Sequence, residues 1–361
     1  MKITLAATLR HYDKKNFIKD LLAGIIIMAV SIPISMGYAQ IAGLPAVYGL
    51  YGSVFPILIF ALFSTSPQFI FGVDAAPAAL IGSALLSLHI ESGSEEAMAV
   101  VPVLTFFVAL WLLAFYIMKA GKLVNYISAP VMGGFITGIC TTIILMQVPK
   151  LMGGSAGTGE FFELAEHIIK TAKDINWQSV VLGLAALVLL LVCKKLIPKF
   201  PMAVLLMIAG AGMTYLLPIE DWGVQTLASV DTGLPHWAVP DFSVISIREA
   251  VTISLSVAVV IMAETLLAEN NFAQKNGYRI NDNQEILAFS MGNFLAAFTG
   301  CCPINGSVSR TAMGEQYQAK TQLTGIIAGL SMIIVLVCAT GFIGYLPVPV
   351  LTAIVISALL G

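Results

Sequence analysis

The chain of 361 residues is 58% hydrophobic and only 11% charged, a balance outside that of water-soluble globular domains. Its apolar runs recur from Leu21 to the end and are continuous rather than alternating, which excludes a β-barrel and leaves an all-α polytopic membrane protein. The net charge of −2 says nothing of nucleic acid, and with no basic, aromatic-laced patch none is expected as a partner; the five cysteines match neither a zinc pattern nor a disulfide framework.

The leader MKITLAATLRHYDKKNFIKD, residues 1–20, is polar. The apolar run after it is too long for the h-region of a signal peptide, and no A-x-A site follows. About twelve membrane segments are expected, near 21–41, 46–63, 68–90, 98–118, 126–147, 177–196, 200–217, 247–272, 284–299, 301–316, 322–340 and 346–361. Between the fifth and sixth, GTGEFFELAEHIIKTAKDIN places apolar residues at helical spacing on a charged background, the pattern of an amphipathic helix lying on the membrane surface. Lysines and arginines set the orientation. The leader, KAGK at 119–122, KKLIPK at 194–199, Lys275, Arg279 and Lys320 fall on one side. Lys150, Lys170, Lys173 and Arg248 share the other with the acidic stretches ESGSEE and PIEDW. The first side is therefore cytoplasmic, with the N-terminus inside a cell or plasma membrane. Arg310 is left unclaimed by any loop.

The third and tenth segments are broken. PQFIFGVDAAPAALIGSALL and CCPINGSVSRTAMGEQ each open with an extended piece, pass through Gly and Pro, and continue as a short helix. One enters from the cytoplasm and the other from outside, so their half-helix N-termini point at the midplane from opposite directions. Helix N-termini carry free N–H groups and partial positive charge, an anion site in the making. Irregular backbone at that depth is tolerated where it lines a cavity, and paired broken segments mark a transporter's binding site. Arg310 adds a fixed charge there; the alternative is a structural partner for a buried carboxylate. Ser307 and Ser309 are candidate ligand contacts or plain helix caps. Glu264, deep in the eighth segment, is either a carrier of the coupling ion or a salt-bridge partner of Arg310. Asp74 is expected to favour the dipole of the third half-helix. No Ser/His/Asp or metal-ligating constellation stands in the spans, so neither an enzyme nor a cofactor is expected.

Two stretches carry a resemblance. Residues 32–80, IPISMGYAQ through AAPAAL, and residues 263–329, AETLLAENNFAQKNGYRINDNQE through TGIIAG, resemble the sulfate permease (SulP, or SLC26) family of anion transporters. The resemblance implies a seven-plus-seven inverted repeat with two half-helix segments. It divides into a core (about 21–118 and 247–340) and a partial gate (about 126–217 and 346–361), with the last two gate spans and the cytoplasmic STAS domain absent. It places Ser307, Ser309 and Arg310 at the tenth-segment anion site and Ala75, Ala76 and Pro77 at the start of the third-segment half-helix. Glu264 falls where proton-coupled members carry a carboxylate. Two positions depart from the pattern: Ile34 stands where many members have glutamine, removing a polar side chain from the site, and Gly72-Val73 replaces a Gly-Pro.

The expected function is secondary active transport of a small anion by alternating access, sulfate first, with protons (or sodium) as coupling ion and a homodimer as the full-length assembly. C4-dicarboxylate or bicarbonate transport, and uncoupled exchange or channel activity, are the alternatives.

Overall fold

The structure, a computed structural model, describes residues 4–10, 12–122, 129–157, 161–197, 200–227, 233–338 and 340–360. Residues 1–3 and 11 of the leader, 126–128 of the fifth predicted segment, 158–160 of the predicted surface helix, 198–199 of the basic run, and 339 and 361 lie outside the described residues.

Helices dominate. In chain order they are α1 (Phe17–Ile41), α2 (Val47–Tyr51) and α3 (Phe55–Phe63), then strand β1 (Phe71–Gly72) and α4 (Ala75–Ser87). There follow α5 (Glu95–Ile117), α6 (Ala129–Leu151), α7 (Phe161–Thr171), α8 (Trp177–Leu196) and α9 (Met202–Leu216). The chain continues with α10 (Ile247–Asn276), α11 (Asp282–Phe298), strand β2 (Asn305–Gly306), α12 (Val308–Gln316), α13 (Leu323–Cys338) and α14 (Val348–Leu359). Among the described residues, α1, α5, α6, α8 and α10 are long and apolar enough to cross a membrane unaided. Short side chains start several helices: Asp74, Ser94, Asn176 and Asn281 each accept a hydrogen bond from a first-turn N–H. Gly277, left-handed at φ 71°, ends α10.

Both broken segments take the expected form, an extended piece followed by a half-helix. The two extended pieces also pair with each other: β1 and β2 run antiparallel, with Phe71 opposite Gly306 and Gly72 opposite Asn305. One difference from the sequence reading lies in the second segment, which is not a single helix. Pro56 has no N–H to continue the ladder of α2, and Val54 turns to φ −110°, ψ −94° before α3 begins. The predicted surface helix is α7; Leu164 is its buried anchor, against Gly157, while Glu166 and Lys170 pair in solvent at 2.7 Å.

Two groups of helices pack within themselves. α11 lies against α5 and α3, α10 against α5, and α1 against α13; α14 lies against α8, α6 and α9. α1 also touches α14 and α9, and α4 touches α6, so α1 and α4 form the border between the groups. Aromatic stacking anchors β1 in the first group: Phe71 lies 4.7 Å from Phe60 and 5.4 Å from Phe289, centroid to centroid.

Backbone freed by the breaks has to find partners, because none is available from lipid. Asn293 of α11 clamps the extended approach to β2, accepting from Ile304 N at 2.9 Å and donating to Ile304 O at 3.2 Å. Thr105 Oγ1 donates to Cys301 O at 3.0 Å. On the approach to β1, Gln322 Nε2 donates to Ser66 O and Phe69 O, both at 2.8 Å, and Gln68 Nε2 donates to Ala319 O at 2.8 Å. Asp20, fully buried at the start of α1, accepts from Lys320 N at 2.6 Å, Thr321 N at 3.3 Å, Thr321 Oγ1 at 2.8 Å and Thr324 Oγ1 at 3.2 Å, which ties the entry of α13 to α1. Cys301 and Cys302 are free, buried thiols packed among these groups.

Candidate functional site

The β1–β2 ladder brings the starts of α4 and α12 together. Ser307 N donates to Ile70 O at 2.8 Å, and Ile70 N donates to Thr311 Oγ1 at 3.0 Å, so α12 is fastened to the strand that precedes α4. Thr311 Oγ1 in turn donates to Ser307 O at 2.6 Å. Each half-helix therefore begins beside the other's strand, and the residues at both starts face one region.

Arg310 occupies the third position of α12 and is fully buried. Its Nη2 donates to Val73 O at 2.6 Å and lies 3.7 Å from Asp74 Oδ2. Nε and Nη1 have no hydrogen-bond partner. A guanidinium held at one nitrogen with two N–H directions open is preorganised for a second acceptor. Gly72 makes room for it: a Cβ there would stand 3.1 Å from Arg310 Nη1.

Asp74 caps α4, accepting from Ala75 N at 2.7 Å, while its other oxygen faces Arg310. The carboxylate that pairs with Arg310 is thus Asp74, a link the sequence reading missed. Glu264, the partner entertained there, forms no ion pair with Arg310 among the described residues. Instead Glu264 Oε2 accepts from Asn305 Nδ2 at 2.7 Å. The neighbouring Thr265 hydroxyl donates to Asn305 Oδ1 and accepts from Gly306 N at 3.1 Å. The α10 carboxylate is joined to the site through β2 rather than through the arginine.

Ser307 takes the N-cap position of α12, but its hydroxyl caps nothing; Ser307 Oγ stands 3.4 Å from Ser309 Oγ. Ala75, Ala76 and Pro77 form the first turn of α4, where Pro77 has no N–H to leave unsatisfied. A cavity of about 230 Å³ opens beside α12. Of the predicted residues its lining includes Ser309 and Arg310, joined by Val30 and Ile34 of α1, Lys194 of α8 and Ile354 of α14. Ala75, Ala76, Pro77, Ser307 and Glu264 stand outside that lining. Sequence reasoning also missed Tyr38, a buried phenol within electrostatic range of Arg310 and Asp74. Its signal was present: a tyrosine within a mostly apolar segment, about one helical turn beyond Ile34.

The Sulfate permease family profile matches residues 17–361. This chain belongs to that family. The resemblance carried by residues 32–80 and 263–329 is borne out. A probable sulfate transporter of Mycobacterium tuberculosis (strain ATCC 25618 / H37Rv) is 29% identical over 351 residues, covering 97% of this chain and 62% of the relative. Sulfate transporter 2.1 of Arabidopsis thaliana is 29% identical over 367 residues, covering 98% of this chain and 54% of the relative. The chain thus spans little more than half the length of these curated relatives. Among solved structures, murine solute carrier 26 family member A9 in its inward-facing state aligns with a TM-score of 0.87 at 23% identity, covering 98% of this chain and 62% of that one. The transmembrane domain of the cyanobacterial bicarbonate transporter BicA aligns with a TM-score of 0.85 at 19% identity, covering 97% and 89%. This sulfate permease chain accordingly has the inverted-repeat helical fold of those transmembrane domains.

Proposed function

We propose that this chain carries a small anion, sulfate first, across a cell membrane by alternating access with proton coupling. The observation that carries the reading is Arg310: a fully buried guanidinium with two unpartnered nitrogens, at the meeting of two half-helix N-termini. In a low-dielectric site a fixed cation with open donors is satisfied by an anion, and partial dipole charges reinforce it. Asp74 and Val73 hold the group in place while offsetting part of its charge, which keeps binding weak enough for release. The anion contacts are Arg310, Ser309, Ser307 and the first turn of α4 at Ala75, Ala76 and Pro77.

The helix group containing α1, α4, α5 and α10 to α13 acts as the core, and α6, α8, α9 and α14 act as the gate. Movement of one against the other carries the site from the 230 Å³ cavity, on the Lys194 side, to the opposite face. The N-terminus lies in the cytoplasm, and the full-length protein acts as a homodimer. Glu264 takes the coupling ion: it is half-buried and bonded to Asn305 of the site strand, so its charge is felt where the anion binds. Names of the curated relatives support sulfate as the cargo. A second cargo, a C4-dicarboxylate, is favoured by one feature: Val30, Ile34, Met202 and Ile354 give the cavity apolar walls that suit a carbon chain.

The test is internal pH in proteoliposomes when external sulfate is added. Sulfate-driven acidification is expected for the wild type and its loss for Arg310→Ala and Glu264→Gln. Acidification surviving Glu264→Gln rejects that residue as the proton carrier. Uptake surviving Arg310→Ala rejects the site. A wild type that acidifies with succinate and not with sulfate moves the cargo to dicarboxylates.

A further inference from the structure

The seam between α1, α6 and α14 holds polar groups that the central site does not use. Lys150 Nζ donates to Gln40 Oε1 at 2.8 Å across it. Among the described residues no carboxylate pairs with Lys150. One turn earlier on the same face of α6, Gln147 is 1% exposed and its Nε2 has no hydrogen-bond partner. A half-buried ammonium without an acidic neighbour, beside an orphaned amide N–H, is an incomplete donor set. A small anion is the chemistry that completes it, taking a charge-assisted bond from one and a neutral bond from the other.

Place strengthens the assignment. Gln40, Gln147 and Lys150 line a crevice of only about 10 Å³ together with Pro33, Gly37 and Val355. A Cβ on Gly37 would stand 2.5 Å from Val355 Cγ2, so α1 and α14 approach each other closely here. α1 contributes Val30 and Ile34 to the cavity beside Arg310, then Pro33, Gly37 and Gln40 to this crevice. The two positions follow one another along a single helix, one open and one shut.

We propose that Lys150, Gln147 and Gln40 form an outer docking station, which takes the anion first when the α1–α14 seam opens and delivers it to Arg310. This rests on the transport reading above, and the station lies on the face opposite the Lys194 cavity.

The experiment places a cysteine at the station, Gln147→Cys, in the full-length protein in proteoliposomes. It measures reaction from outside with anionic sulfonatoethyl and cationic trimethylammonioethyl methanethiosulfonates, corrected for the parent's own thiols. The anionic reagent is expected to react faster. Adding Lys150→Gln should lower the anionic-to-cationic ratio about fivefold, the scale of one nearby charge in a partly wet site, and Lys150→Arg should preserve it. Sulfate should slow labelling with Lys150 present and not in its absence. A ratio indifferent to Lys150, or no reaction from outside, overturns the station. Charge-biased labelling in a protein that moves no anion overturns the transport reading alone; Arg310-dependent transport without that bias overturns the station alone.

Discussion

Gly72→Ala tests the central site with a single methyl group. The new Cβ would lie 3.1 Å from Arg310 Nη1 and 3.5 Å from both Cζ and Nη2. Comfortable contact needs about 3.5 Å, so the guanidinium has to retreat by about 0.4 Å. It is not free to do so, since Nη2 is tied at 2.6 Å to the carbonyl of Val73, the residue that follows Gly72. Stretching a bond from a charged donor forfeits about 1 kcal/mol, part of the roughly 1.5–3 kcal/mol such a bond is worth. The methyl also shields Nη1, one of the two open donors. Loss of that donor to a charged ligand predicts a five- to tenfold rise in the apparent Kd for sulfate, about 1–1.4 kcal/mol. Gly72 does not have positive φ, so alanine fits the strand, and the thermal midpoint of the unliganded protein should fall only by the about 1 kcal/mol of the stretched Val73 bond. Sulfate-dependent thermal shift of the purified protein reads both quantities in one series. Wild-type sulfate affinity in Gly72→Ala would refute the assignment of Nη1 to the ligand. A large fall in the unliganded midpoint with unchanged affinity would move the role of Gly72 from the site to the fold.

Asp20→Ala strips acceptors from Lys320 N and Thr321 N in a fully buried setting and is expected to destabilise the chain by about 2–3 kcal/mol, seen as a lower thermal midpoint with sulfate affinity retained. Thr265→Val leaves Gly306 N and Asn305 Oδ1 without their partner and should cost about 1–3 kcal/mol, while also weakening sulfate binding because β2 carries α12; a variant as stable as the parent would contradict that bracing role. Hydrogen bonds from the Ser243 hydroxyl and backbone hold the Asp241 carboxyl below its ordinary value of 3.8. A depressed folded-state pKa stabilises the 241–243 turn above pH 3.8 and loses that effect as pH falls through the lower folded value, so a carboxyl-carbon NMR titration should show a midpoint below 3.8 that rises in Ser243→Ala.

The broken segments were legible because their causes are local. Pro77, Pro303, Gly72 and Gly306 interrupt apolar runs whatever surrounds them, and Arg310 was conspicuous as a cation that no loop claimed. What could not be read was which group each polar residue meets. Asp74 and Arg310 are 236 positions apart in sequence and touch only because β1 pairs with β2 in one register; two-residue strands leave no periodic trace. The same register turns Asn305 to Glu264 and so decides that the carboxylate on α10 addresses an amide and not the arginine. The break within 46–63 carried its own sign, Gly52 followed by Pro56, but an apolar window passes over such a pair. Ile34 was noted from the sequence as an apolar replacement, and it does face the cavity beside Val30.

The short ladder of Phe71 and Gly72 with Gly306 and Asn305 has a consequence for how such a protein can change over time. On the transport reading proposed above, the ladder welds both half-helices into one piece, so the choice of ion belongs to a part that keeps its shape throughout a cycle. On the same reading, the speed of the cycle belongs instead to the contact of α1 with α14, where Gly37 meets Val355. Substitutions along that contact can retune turnover to a new temperature or lipid without altering which ion is accepted. Substitutions around the ladder can change the accepted ion and leave the mechanics untouched. The two properties are separable by construction, and a lineage could acquire a new cargo without rebuilding its machinery.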